Sequence, residues 1–201
     1  MKEEVIRYLS ETYRPRALLV YGSYQRGDQD ECSDFDCMIL VDQKEKKHDD
    51  TVIGGVPLDC FIFTAAEAET EDPDTFLTAY DSEIVLDDGI GAKLKGRVRE
   101  YVRAHTVTAR EEKDFIRSWY RKSLCRMEKG DDEGNFRAVT LLGESLTDYF
   151  LLRDIFYFGS KWGTAYLKAH DPAGYALFHA AVDRRGLTDI AVWARHVTRE
   201  P

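Results

Sequence analysis

In the stretch 20-VYGSYQRGDQDECSDFDCMILV-41 an apolar run enters Gly22-Ser23, a loop rich in Asp and Glu follows, and a second apolar run begins at Asp34 and Asp36, which flank Phe35. Carboxylates this crowded repel one another and are costly to hold beside a hydrophobic core. Side chains of a strand alternate faces with a period of two. Asp34 and Asp36 therefore share a face, while Phe35 points the other way and can anchor in the core.

The next apolar run, 56-VPLDCFIF-63, repeats the alternation. It sets Asp59 on one face and Leu58, Cys60 and Ile62 on the other. If the two strands are neighbours, Asp59 stands beside the Asp34/Asp36 pair. A divalent cation relieves the repulsion among three such acids, and Mg²⁺ commonly combines one or two carboxylates with substrate phosphates. Gly22, lacking a Cβ, lets a ligand approach the backbone. Ser23 offers a hydroxyl and an amide to a phosphate, turn amides can form an anion-binding nest, and Arg26 is within reach as a further phosphate contact.

Gly-Ser, ten residues, then Asp-Phe-Asp, with a third acid on a later strand, resembles the DNA polymerase β-type nucleotidyltransferase superfamily. Its small members include minimal nucleotidyltransferases and the aminoglycoside and lincosamide antibiotic nucleotidyltransferases. The resemblance covers Leu18 to about Phe63, roughly a quarter of the chain, and the paired motifs, each at its strand edge, are more specific than either alone. It implies that Gly22 and Ser23 hold nucleotide phosphates, beside the Arg26 already read as a further phosphate contact. Asp34, Asp36 and Asp59 would bind two Mg²⁺ ions, with Asp59 either a ligand or the general base. The implied reaction moves a nucleoside monophosphate, AMP from ATP in the leading version, onto a hydroxyl of a small molecule and releases pyrophosphate.

The 201 residues carry a formal charge of −9 and are 43% hydrophobic. Size and composition suit one large folded domain or two small ones. The acidic balance disfavours nucleic-acid binding and leans toward a cationic acceptor such as an aminoglycoside. No run approaches the roughly 20 apolar residues of a membrane helix, and the charged start MKEEVIRYLSETY lacks a signal-peptide core. A cytoplasmic protein without membrane association is expected. Cys32, Cys37, Cys60 and Cys125 show no metal-site or disulfide spacing and are expected as reduced core thiols.

Strand-like runs at Ala17–Tyr21, Asp36–Val41 and Pro57–Phe63, a short edge strand at 83–86, and helices at 1–13 and 93–103 outline an α/β (α+β) domain over 1–106, with a mixed sheet flanked by helices. From Thr108 onward the pattern is helical. Thr108-x-x-Glu111 reads as a capping box opening a helix to Lys129. A long helix over 131–158 and shorter ones at 161–169, 172–185 and 187–198 complete a helical bundle over 107–201. On the family resemblance this bundle binds the acceptor. Glu144, on one helix face with Asp148, is then a candidate general base, and Lys161 a candidate phosphate ligand at a helix start. Some antibiotic-modifying relatives share active sites across a homodimer, so a homodimer is one expectation. The alternative reading is an antitoxin-like minimal nucleotidyltransferase that binds or adenylylates a partner protein.

Overall fold

A computed structural model describes residues 2–199. Met1, included in the first expected helix, lies outside the described residues. The chain divides between Val102 and Arg103 into two compact units.

The first unit is built on a mixed sheet. The helix α1 (Lys2–Tyr13) precedes β1 (Ala17–Val20), and the short helix α2 (Gly22–Arg26) leads to β2 (Phe35–Val41). Two-residue strands β3 (His48–Asp49) and β4 (Val52–Ile53) are followed by β5 (Val56–Thr64), the helix α3 (Ala65–Thr70), a 3₁₀ segment (Pro73–Ala79), β6 (Glu83–Asp87) and the helix α4 (Ile90–Ala104). The order across the sheet is β3-β5-β2-β1-β6, with β4 joined to β5. β2 runs parallel to β5 and antiparallel to β1. β6 is an edge strand, as the sequence indicates.

One face of this sheet is a dry core. Leu18, Val20, Phe35, Cys37, Ile39, Leu58, Cys60 and Ile62 pack there with Val5 and Leu9 of α1. Phe35 is fully buried, as its alternation with the two aspartates requires. Ile53 faces Val56 across Gly54-Gly55, whose φ values of 58° and 88° make a two-residue turn open mainly to glycine. Four elements depart from the sequence reading. Gly22–Arg26 is helical rather than a turn, β3 and β4 arise where a polar connection was expected, and α4 begins three residues early. Asp87 explains the last, since its carboxylate accepts from the amides of Gly89, Gly91 and Ala92 and caps the helix start.

Among the described residues the second unit holds five helices: α5 (Arg110–Met127), α6 (Asp132–Leu151), α7 (Ser160–His170), α8 (Pro172–Arg184) and α9 (Leu187–Val197). Its core gathers Tyr120, Leu141, Phe150, Leu167 and Trp193. The Trp193 indole donates to Ser145 Oγ at 2.7 Å, which satisfies a polar pair inside that core. Asp171 accepts from the Gly174 amide, from Tyr149 Oη at 2.9 Å and contacts His196 Nε2 at 2.7 Å, tying α6, α8 and α9 together.

Two helix boundaries correct the sequence reading. No capping box forms at Thr108; Ala109 is the N-cap of α5 without a side-chain bond, and the Thr108 hydroxyl has no partner among the described residues. The Thr108 amide is instead taken by Asp154, which also binds Lys113 Nζ at 2.6 Å. Asp154 sits at φ 55°, so its left-handed turn ends the helical path and α6 stops at Leu151 rather than Phe158. A true capping box lies at Thr64-x-x-Glu67. The thiols also divide differently from expectation: Cys37 and Cys60 are buried, while Cys32 and Cys125 are exposed, and all four are free.

The Lys44 ammonium, 2.6 Å from Glu67, together with the Thr64 amide lowers the Glu67 pKa to about 2. A depressed carboxylate contributes stability that is present above its unfolded pKa and lost as pH falls through the folded one. Urea midpoints should therefore fall between about pH 4.5 and pH 2, and Glu67→Gln should flatten that part of the profile. An unchanged profile in the variant would mean the cap contributes nothing.

Candidate functional site

The site is assembled by three backbone connections around β2. Val20 of β1 pairs with Cys37, and the Tyr21 amide donates to the Asp36 carbonyl at 3.1 Å. This brings Gly22-Ser23 against the start of β2. On the other side Asp36 is the register partner of Asp59, and Cys37 that of Cys60. In a parallel pair, register partners project to the same face, so the two carboxylates stand side by side while the two thiols point together into the core.

Gly22 has φ 69° and lies directly against Asp36. A Cβ added there would sit 1.9 Å from Asp36 Oδ2. The chain thus needs glycine twice over, for the left-handed backbone and for the close approach. Ser23 follows, buried at 8% exposure, in the first turn of α2, whose N-cap Tyr21 supplies no side-chain cap. Arg26 is exposed at the end of α2 and paired with Asp28 at 3.1 Å. Asp34 is exposed and stands two residues ahead of Asp36, at the mouth of β2.

Two neighbours of these acids were not singled out from sequence. His48 contacts Asp59 Oδ1 through Nε2 at 2.6 Å. The pairing depends on β3, whose His48 is opposite Phe61 of β5; a two-residue strand in a polar connection leaves no periodic signal. Tyr21 donates its hydroxyl to the Cys37 carbonyl at 3.3 Å. Burial first, then the proximity of Cys37, Asp59 and Asp36, pushes its phenol well above the ordinary range. It is a neutral wall beside the carboxylates.

Among the described residues no group of three His, Cys, Asp or Glu side chains is gathered to hold a metal ion. Asp36 and Asp59 are nevertheless oxygen donors that the β2–β5 register sets on one face, and Asp34 stands just ahead of β2. With Asp59 Oδ1 committed to His48, Asp34 and Asp36 match the one or two carboxylates that Mg²⁺ usually takes from protein. The donor set fits that ion, with phosphate and water oxygens completing the shell.

Glu144 and Lys161 belong to the second unit. Glu144 is exposed on α6, and Lys161 is exposed in the first turn of α7, where Gly159 is the N-cap at φ 101°. The inward acid of the expected pair is Asp148. Tyr120 donates to its Oδ2 at 3.0 Å, and burial, reinforced by Glu144 and Glu112, raises its pKa to about 6. Arg137 and Arg153 are occupied elsewhere. Arg137 faces Glu133, while Arg153 donates to the carbonyls of Tyr149, His196 and Val197.

Gly22→Ala should destabilise the first unit by about 1–3 kcal/mol in chemical denaturation, since it forces a Cβ into a left-handed position and into Asp36. A wild-type midpoint would show that the Asp36 carboxylate moves aside freely. Asp148 carries a raised pKa, so the folded chain holds its proton between about pH 4 and pH 6 and loses stability as pH rises through that window. Asp148→Asn should accordingly raise the urea midpoint at pH 7 and leave it unchanged below pH 4. A lower midpoint at pH 7 would mean the ionised acid is needed.

Residues 3–54 match the family model described as "Polymerase beta, Nucleotidyltransferase". A search of curated proteins found no match. Among solved structures, the chain is similar to a nucleotidyltransferase-like protein from Exiguobacterium sibiricum, with 13% identity, a TM-score of 0.41, and alignment over 98% of this chain and 74% of that one. The matched segment runs from α1 through Gly22-Ser23 and the Asp34/Asp36 pair to the turn before β5, so this part of the N-terminal unit is similar to a polymerase β-type nucleotidyltransferase domain.

Proposed function

We propose that the protein is a Mg²⁺-dependent nucleotidyltransferase that moves AMP from ATP onto a hydroxyl of a small molecule and releases pyrophosphate. The observation that carries this reading is the register of β2 on β5, which sets Asp36 beside Asp59 with Gly22 packed on the Asp36 carboxylate. It is supported by the family match over residues 3–54. No helix among the described residues is long and apolar enough to cross a membrane.

In this reading the amides and hydroxyl at Ser23 hold the terminal phosphates, and Gly22 leaves room for them. Asp34 and Asp36 hold Mg²⁺, two ions in the full complex. Mg²⁺ held by these residues would neutralise phosphate charge and lower the pKa of the acceptor hydroxyl. Asp59 accepts the hydroxyl proton on Oδ2, while His48 fixes the carboxylate through Oδ1. The acceptor oxygen forms a bond to the α-phosphorus. The bond from that phosphorus to the bridging oxygen breaks, and its electron pair leaves with pyrophosphate. Lys161 and Glu144 have no assigned step.

Pyrophosphate release from MgATP, assayed against small-molecule hydroxyl compounds with mass spectrometry of the products, tests the reading. Turnover should depend on an acceptor that gains the mass of AMP. Asp36→Asn should reduce it by two orders of magnitude or more, with an unchanged circular dichroism melt. Near-normal turnover in that variant would overturn the assignment. Label transferred to a protein instead would favour the partner-modifying alternative.

A further inference from the structure

Beyond Asp59, the same face of β5 carries Phe61 and then Phe63 at alternate positions. Phe61 is 43% exposed and lies outside the apolar core of its unit. A cavity of about 320 Å³ opens against it, lined by Phe61, Phe63, His48, Lys44, Lys47 and Glu67 among others. Its volume lies within the range of small-molecule sites. All of its lining belongs to the first unit.

His48 joins this cavity to the carboxylates. One ring nitrogen contacts Asp59 Oδ1 at 2.6 Å, and the ring centroid lies 5.0 Å from that of Phe61 at an interplanar angle of 56°. His48 in the cavity wall therefore links the ring of Phe61 to Asp59, the register partner of Asp36. Aromatic rings at such spacing present faces and edges to a further ring in stacked or tilted contact. On the apolar side Phe63 closes the wall, itself 4.9 Å from Phe76.

The charges lining the cavity point to the kind of molecule. Lys44 is committed to Glu67 at 2.6 Å and stands 5.4 Å over the Phe63 ring. Lys47 has no ion pair among the described residues. Glu71 is the one further acid in the lining, so two lysines balance two glutamates and the lining itself offers a polycation no excess of acid. The acidity of the whole chain is not reproduced here.

We propose that this cavity is the acceptor subsite and that it takes a small planar-ring compound bearing a hydroxyl, neutral or anionic, rather than a polycationic aminosugar. The assignment rests on the nucleotidyl-transfer reading above. The ring stacks on Phe61 and His48, Lys47 meets an anionic substituent, and the hydroxyl points back along β5 to Asp59.

Saturation-transfer NMR on the full chain, with 4-hydroxyphenylacetate, pyridoxine and kanamycin as probes, reads this site without turnover. At least one ring probe should bind, with the strongest transfer to its ring protons, and kanamycin should not displace it. Phe61→Leu should weaken that binding at least fivefold, and Phe61→Trp should hold or tighten it. Leucine keeps an apolar residue at an exposed strand position, so a thermal melt like the wild type's separates loss of the ring from loss of the fold. The proposal is overturned if neither ring probe binds, if Phe61→Leu binds as well as wild type, or if kanamycin displaces the ring probe. MgATP binding in the same samples, followed by its phosphorus resonances, distinguishes the two levels of failure. Bound MgATP without ring-probe binding removes the acceptor assignment alone. Absence of MgATP binding removes the transfer reading and the acceptor assignment together.

Discussion

The parallel pairing of β2 with β5 is the constraint on which the N-terminal unit turns. It is the longest ladder in the sheet, from Phe35 opposite Leu58 to Val41 opposite Thr64. On one side it aligns Phe35, Cys37 and Ile39 with Leu58, Cys60 and Ile62, and these pairs make most of the dry core. On the other side the same hydrogen bonds align Asp36 with Asp59. Burial stabilises the ladder, and the ladder then holds two carboxylates together against their repulsion. A shift in register would alter both sides at once.

Around that ladder the remaining parts act as supports. The Tyr21 amide bond to the Asp36 carbonyl fixes where the Gly22-Ser23 turn meets β2. β3 brings His48 to Asp59 and, one residue later, buries Asp49 beneath the hydroxyls of Tyr8 and Tyr13. Burial alone would raise the Asp49 pKa, but the Thr51, Tyr13 and Lys46 hydrogen bonds outweigh it and hold the carboxyl well below its ordinary value. A two-residue strand is thus anchored by a buried ion at one residue while the other faces the site. The helical unit follows a different logic, in which a bonded network of Asp171, Tyr149 and His196 locks helices that are otherwise held by aromatic packing.

The features legible in sequence were those with a period. Alternation through Asp34, Phe35 and Asp36, and again through Leu58, Asp59 and Cys60, gave both the core face and the polar face, and 3.6-residue patterns gave the helices of the second unit. What escaped was set by tertiary contacts with no local pattern. His48 gains its role only because β3 forms, and Asp154 ends α6 only because Thr108 and Lys113 come within reach of it. The different burial of Glu144 and Asp148 has a similar origin. Both lie on one helix face, and the presence of Tyr120 on α5 is what makes Asp148 the half-buried member.

The route from β2 to β5 has a consequence for how this chain tolerates insertions and deletions. Adjacent antiparallel strands can have their register dictated by a tight turn, whereas a parallel pair has none. The connection over residues 42–55 carries β3, β4 and their turn outside the β2·β5 ladder, so its length does not determine which residue meets Asp36. Within the ladder the reverse holds. Dropping a single residue between Leu58 and Thr64 would exchange the two faces beyond it, sending phenylalanines into the place of core aliphatics, and a loss ahead of Asp59 would bring Cys60 opposite Asp36. Length variation in such a protein is therefore confined to its connections, and the seven paired positions of β2 and β5 are fixed in number as well as in kind.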